Sequence, residues 1–127
     1  MKTFEVFNGG RITKNLLKDF KKYNDKLTDL MVAIIGNDIK NFADLINTVD
    51  LEETDRFGNT ALLLASSNGR LVMLRKLIKR EANIHNKNNK GEDFYDLAKT
   101  RYKFINKVKE YIEKELPEFV AAKKYNL

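Results

Sequence analysis

Residues 55–69 read DRFGNTALLLASSNG, and the opening of this stretch recurs 33 residues further along the chain. The hexapeptide DRFGNT returns at residues 88–93 as NNKGED, so that Gly58 is matched by Gly91. A period of this length is typical of stacked repeats, in which each unit contacts only its neighbours. Proteins built in this way usually work by offering a surface, so the pattern favours binding over catalysis.

The unit that begins at Asp55 resembles the ankyrin repeat. Its sequence follows the ankyrin pattern D-x-x-G-x-T-P-L-H-x-A-A-x-x-G, except that Ala61 replaces the proline and Leu63 the histidine. Glu81 replaces a later glycine of the pattern. The resemblance implies that each unit folds into two antiparallel helices followed by a loop, with a tight turn at Gly58.

The units on either side match less completely. The first keeps the apolar spacing but lacks the opening motif, and only Thr28 falls on its threonine position. The third keeps Gly91 but has Tyr102 where the second glycine would stand. Atypical end units are expected, because the outer faces of a solenoid must meet water. We therefore expect an all-α, ankyrin-repeat-like helical solenoid in a single domain, divided into an N-terminal capping segment (1–22), three repeats (23–54, 55–87, 88–116) and a C-terminal extension (117–127).

Capping residues and apolar spacing predict the bounds of the helices. Thr13 is predicted to cap a helix that covers the first repeat. Pro117 cannot continue a helix but suits the first turn of a new one, so a short helix is expected over 118–125, with Phe119 and Val120 folded back on the third repeat. The three repeats are predicted to contain helices over 28–35 and 39–47, 60–68 and 71–80, and 93–101 and 103–116.

Composition excludes several classes of protein. The chain has no cysteine, so it has neither a disulfide framework nor thiolate chemistry. It has no apolar run near the roughly 18 residues that a membrane span needs, and its start lacks the apolar core of a signal peptide. Phosphate-binding and zinc-protease motifs are absent, and His85 is the only histidine. We expect a cytoplasmic, non-enzymatic protein that uses no cofactor or metal and does not insert into membranes.

The resemblance implies that a partner is bound by the turns and by the first helix of each repeat. Arg56 and Phe57 are the most informative of these residues, because aromatics and arginine dominate binding hot spots. The competing interpretation is that Phe57 packs against the neighbouring turn. Carried onto this sequence, the expected partner-binding residues are Arg56, Phe57, Asn59, Ser67, Asn68, Asn89, Lys90, Glu92, Thr100 and Arg101, with Asp25, Leu27, Ile35 and Gly36 in the first unit.

Charge is distributed unevenly along the repeats. Residues 28–55 carry a net charge of −6 and residues 56–91 one of +7. A dipolar surface of this kind steers and orients partners. The acidic side chains of residues 50–55 are interpreted as a solvated loop rather than a cation site. The basic set Arg70, Arg75, Lys76, Lys79 and Arg80 is predicted to face outward, where it offers a site for anions such as nucleic acid.

We thus predict a protein-interaction module that acts as a small stoichiometric inhibitor or adaptor, with the inhibitor preferred. One alternative is a nucleic-acid or anionic-surface binder that uses the basic helix. Another is a self-assembling structural protein, for instance a homodimer that covers the open ends of its solenoid.

Overall fold

A computed structural model describes residue 18 and residues 22–125 of the chain. Within this part the secondary structure is entirely helical, which confirms the all-α fold. The predicted N-terminal cap, including Thr13, lies outside the described residues apart from residues 18 and 22. The helices are α1 (Asp29–Ile35), α2 (Ile39–Leu45), α3 (Ala61–Ser67), α4 (Leu71–Lys79), α5 (Phe94–Ala98), α6 (Tyr102–Glu115) and α7 (Pro117–Tyr125).

The first helices of the three repeats, α1, α3 and α5, all begin just after a capping side chain. Thr28 accepts a hydrogen bond from the amide of Met31 at 3.2 Å, and Thr60 is placed in the same way before α3. Asp93 caps α5 at 2.9 Å from the amide of Asp96. Each cap satisfies an amide that the helix itself leaves unpaired. The predicted starts are therefore correct to within one residue.

Two helices end earlier than the sequence pattern predicts. Helix α2 ends at Leu45 instead of residue 47, and α5 ends at Ala98 instead of residue 101. After α5 the chain turns, and Arg101 becomes the extended residue at the start of α6. Apolar spacing does not locate such an end, because helix termini fray and the last turn often departs from a regular α-helix.

The core lies between the stacked repeats. Helix α3 packs against α1 on one side and α5 on the other. Among the largest fully buried side chains are Phe42, Leu74 and Phe94, one from each repeat. The two helices of a repeat thus pack on each other and on the adjacent repeats, as expected of a solenoid.

Helix α7 closes the third repeat. Phe119 is 5% exposed and its ring lies 5.0 Å from that of Phe94, measured between centroids. Val120 is half-buried beside it, and Lys123 forms an ion pair with the buried Asp93. The predicted folding back of this segment is confirmed. None of the helices in the described residues is both long and apolar enough to span a membrane.

Gly58 and Gly91 occupy equivalent places in two turns and have nearly the same backbone conformation, with φ of +78° and +77°. Side chains other than hydrogen strain this conformation. A Cβ at Gly58 would also lie 2.9 Å from the backbone nitrogen of Asn89, whereas a Cβ at Gly91 would meet nothing within 4 Å.

This pair allows strain and crowding to be separated. We expect Gly91→Ala to lower the free energy of unfolding by about 1 kcal/mol, through strain alone. Gly58→Ala should cost at least about 1 kcal/mol more, because the next turn must move away from the added methyl group. Urea denaturation of both variants measures the difference. Equal losses would show that the two turns are not packed together as described.

Candidate functional site

Two turns, which begin at Asp55 and Asn88, share one pattern of side-chain hydrogen bonds. Asp55 Oδ1 accepts from the amides two and four residues further along, at 2.9 and 2.8 Å. Asn88 Oδ1 accepts from the equivalent amides at 3.0 Å each. A side chain that bonds to its own turn in this way fixes the backbone locally. Both turns are thus held rigidly without any help from a strand.

The turns are also bonded to one another. The amide of Asn89 donates to the carbonyl of Phe57 at 3.0 Å. On the other side, the amide of Arg56 donates to Asn24 Oδ1 at 3.2 Å, and Asn24 Nδ2 donates to Asp55 Oδ2 at 2.7 Å. Asn24 and Asp55 are both buried. Three successive units are therefore joined along this edge of the solenoid.

An aromatic and cationic patch stands on this edge. Phe57 is 51% exposed, and the guanidinium carbon of Arg56 lies 5.9 Å from the centre of its ring. Arg56 Nη1 also donates to the carbonyl of Tyr23 at 3.2 Å, and Tyr23 is 63% exposed. Tyr23 was not predicted from the sequence as a surface residue, although it precedes Arg56 by one repeat, 33 residues. We call Tyr23, the exposed turn residues Arg56, Phe57, Asn89 and Lys90, and the half-buried Asn59 and Glu92 the tip surface.

The predicted binding residues of the first helices lie elsewhere. Ser67 and Asn68 are at the far end of α3, about 10 Å from its start at 1.5 Å per residue. The side chains of both donate to the Leu64 carbonyl, at 3.2 and 2.8 Å. Thr100 donates in the same way to the carbonyl of Leu97 at 2.6 Å. These side chains end their own helices, and the structure does not bring them onto the tip surface.

The first unit offers fewer of the predicted residues to a partner. Asp25 is exposed and Leu27 is half-buried, but Ile35 and Gly36 are both buried. The prediction that Ile35 and Gly36 face a partner is therefore wrong. Ile35 lies at the end of α1, where the second repeat packs over it.

Two arginines connect each repeat to the one before it. Arg70 donates through Nε to the Ile34 carbonyl at 3.1 Å and through Nη2 to the Ile35 carbonyl at 2.8 Å. Arg101 donates through Nε to the Ser67 carbonyl at 2.8 Å. Each bonds to carbonyls in the last turn of a helix, where side-chain donors commonly bind. Burial, and then the charge of Arg101, lowers the pKa of Arg70.

These contacts divide the predicted basic set. Arg70 was predicted to face outward with the others, and this is wrong, because its guanidinium donates to carbonyls of the preceding repeat. The four residues of the set that lie on or just after α4 are exposed as predicted: Arg75, Lys76, Lys79 and Arg80.

The acidic loop has a structural role that its composition did not reveal. Glu52 accepts from the Asn83 amide at 3.1 Å and from Asn86 Nδ2 at 2.9 Å, across the boundary between repeats. His85 lies in the loop that Glu52 holds, and its amide donates to Asn83 Oδ1 at 2.9 Å. Among residues 22–125, no group of three or more histidine, aspartate or glutamate side chains is placed to hold a metal ion.

Comparison with known proteins identifies the repeats. A family model described as ankyrin repeats (many copies) matches residues 45–98. Such repeats indicate a protein–protein interaction module. A comparison with curated protein sequences gave no match.

A solved structure is similar over a longer part of the chain. It is the Bd0816 predatory endopeptidase from Bdellovibrio bacteriovorus in complex with immunity protein Bd3460, and the match has 27% sequence identity and a TM-score of 0.59. It covers 67% of this chain but only 46% of the matched chain. This chain thus spans about half the length of the protein chain that it resembles.

Proposed function

The chain is an ankyrin-repeat protein over residues 45–98, and on that premise we propose that it binds another protein through the tip surface and blocks that protein's activity. The observation that carries this proposal is the exposed Phe57 held beside Arg56 on a hydrogen-bonded turn. The partner is expected to offer an apolar pocket bordered by a carboxylate. Such a pair buries an aromatic anchor while the guanidinium binds the carboxylate.

Rigidity of the tip surface supports this proposal. Asp55 and Asn88 fix the two turns internally, and the Asn89–Phe57 hydrogen bond fixes them relative to one another. A surface that is already ordered loses little conformational entropy when a partner binds. The half-exposed aromatic ring therefore contributes to affinity without a large ordering cost.

A blocking function is supported by the similarity to a complex that contains an immunity protein bound to an endopeptidase. An inhibitor of this kind acts by occupying its target in a fixed ratio and needs no catalytic group. We accordingly propose a target enzyme, with a peptidase as the first class to test.

The self-assembly alternative has less support. A solenoid dimerises through its ends when those ends are apolar and uncovered. Here Phe119 of α7 already covers Phe94 and part of Tyr95 at the end of the third repeat. The described end of the solenoid therefore lacks the open apolar face that this alternative requires.

Inhibition is tested by capturing the partner and measuring its activity. The tagged protein is used to purify a partner from a cytosolic extract of the native cell, and sedimentation of the recombinant complex gives its stoichiometry. We expect a 1:1 complex in which the partner's activity is lost at saturation. A partner that keeps full activity in the saturated complex would contradict inhibition and support the adaptor function.

A further inference from the structure

A groove of about 560 Å³ lies between α4 and α6, the second helices of repeats two and three. We call it the outer groove. Its walls carry five cationic side chains from the two helices: Arg75, Lys76, Lys79, Lys107 and Lys114. The groove is separate from the tip surface, since none of the tip residues lines it.

The cations of the outer groove have no carboxylate partner within 4.0 Å among residues 22–125. The ion pairs in this part of the chain join Lys99 to Asp96 and Lys123 to Asp93. Neither pair involves a residue of the groove. Because Glu110 and Glu115 also line the groove, the five cations give its lining a net charge of +3, which favours an anionic ligand.

Part of the groove's lining is apolar. It consists of Leu71, Val72, which is 44% exposed, and the partly buried ring of Tyr111. Burial, and then the charge of Glu115, raises the pKa of Tyr111, while Arg75 acts in the opposite direction. The phenol therefore stays neutral near pH 7 and can donate a hydrogen bond into the groove.

We propose that the outer groove binds an acidic amphipathic helix of a second protein, so that the chain joins two proteins. Apolar side chains of that helix would lie on Leu71 and Val72, and its carboxylates would meet the cations of the walls. This is a common mode of peptide recognition, in which one face of a helix fills a groove between others. Helix α4 has nine residues, so about 13 Å of helix, roughly two and a half turns, fits alongside it.

A helix fits this groove better than nucleic acid does. Glu110 and Glu115 line the same groove and would repel a phosphate backbone at close range. Leu71 and Val72 offer no hydrogen bonds to bases, whereas leucine side chains of a helix would pack on them. A peptide can also place its acidic residues opposite the cations and leave the two glutamates in water.

Fluorescence anisotropy with three labelled probes tests this proposal at physiological salt. The first probe is a synthetic helical peptide of about four turns with glutamates on one face and leucines on the other. The second has the same composition with the leucines dispersed, and the third is a single-stranded oligonucleotide of equal charge. We expect the amphipathic peptide to bind at least about tenfold more tightly than either of the others. Equal binding of the scrambled peptide, or tighter binding of the oligonucleotide, would overturn the proposal.

Matched charge reversals locate the site. Arg75→Glu with Lys107→Glu should weaken peptide binding at least about tenfold, because both residues line the groove. Lys103→Glu with Lys109→Glu changes the net charge equally on exposed positions outside the groove, and should have little effect. Arg56→Ala with Phe57→Ala should also leave peptide binding unchanged. Equal loss in the two charge reversals would show a general charge effect and contradict the site.

Sedimentation of the protein alone tests whether a second copy of the chain binds in the outer groove. The first repeat, which carries a net charge of −6 over residues 28–55, makes a second copy of the chain the competing occupant. We expect a monomer at the concentrations of the binding assay. A dimer that dissociates when Arg75 and Lys107 are both changed to glutamate would mean that the groove binds another copy of this chain, and the proposal of an external helix would be wrong.

Discussion

Changing Arg56 and Phe57 together to alanine is expected to weaken the complex with the principal partner at least thirtyfold. The two side chains lie together on the tip surface, where the ring can enter a pocket and the guanidinium can bind a carboxylate. Loss of a hot-spot side chain typically costs about 2 kcal/mol or more, which corresponds to roughly this change in affinity. Titration calorimetry with the purified partner measures the effect.

The melting temperature of that variant shows whether Phe57 binds a partner or packs between the turns. Phe57 is 51% exposed, so its truncation should change the melting temperature little. The control is Arg75→Ala with Lys79→Ala, which removes two exposed side chains of α4 and should weaken the same complex far less. If the melting temperature falls sharply with Phe57→Ala, the ring packs between turns. If the control abolishes binding and the tip variant does not, the partner binds the outer helices instead.

Phe119→Ala should destabilise the protein by about 3 kcal/mol, the lower part of the range for buried phenylalanine. The ring is 5% exposed and contacts Phe94 and Tyr95, at 5.0 and 6.3 Å between centroids. Its removal opens a cavity beneath α7 and exposes Phe94, which is otherwise fully buried. Urea denaturation followed by circular dichroism gives the free energy of unfolding.

Glu118→Ala provides the control for this change, because Glu118 is exposed on the same helix. It should change the free energy of unfolding by less than about 0.5 kcal/mol. Tryptic cleavage after Lys123 should become faster in Phe119→Ala but not in the control, since α7 is released before the repeats unfold. An unchanged midpoint in Phe119→Ala would show that α7 does not cover the third repeat.

The helices were predictable from the sequence because their signals are local. Thr28, Thr60 and Asp93 each mark a first helix through a hydrogen bond to an amide three residues away. Pro117 begins α7 because its fixed φ suits the first turn of a helix. Repetition at 33 residues then predicts the stacking, since equivalent apolar faces can be buried only against each other.

The details of the candidate surface were less predictable because they depend on contacts between repeats. From the sequence, Arg70 was predicted to be one more exposed basic residue of an outer helix. In the structure its guanidinium donates to two backbone carbonyls, 35 and 36 residues earlier in the chain. Glu52 was similarly predicted to belong to a solvated acidic loop. In the structure it accepts a hydrogen bond from Asn83 of the next repeat. Such partners are set by the distance and angle between stacked units, which the period of a sequence does not contain.

The position of α7 also determines how the molecule can be lengthened. Helix α7 occupies the face of repeat three on which a fourth repeat would stack, so units cannot be appended after residue 116 without removing it. A duplicated copy of residues 55–87 inserted before residue 88 would instead leave α7 packed on the third repeat. The copy's arginine at the position of Arg70 would meet the Ser67 carbonyl that Arg101 now bonds. The array can therefore be lengthened by internal duplication but not after residue 116, and longer versions of this surface are best engineered from its middle.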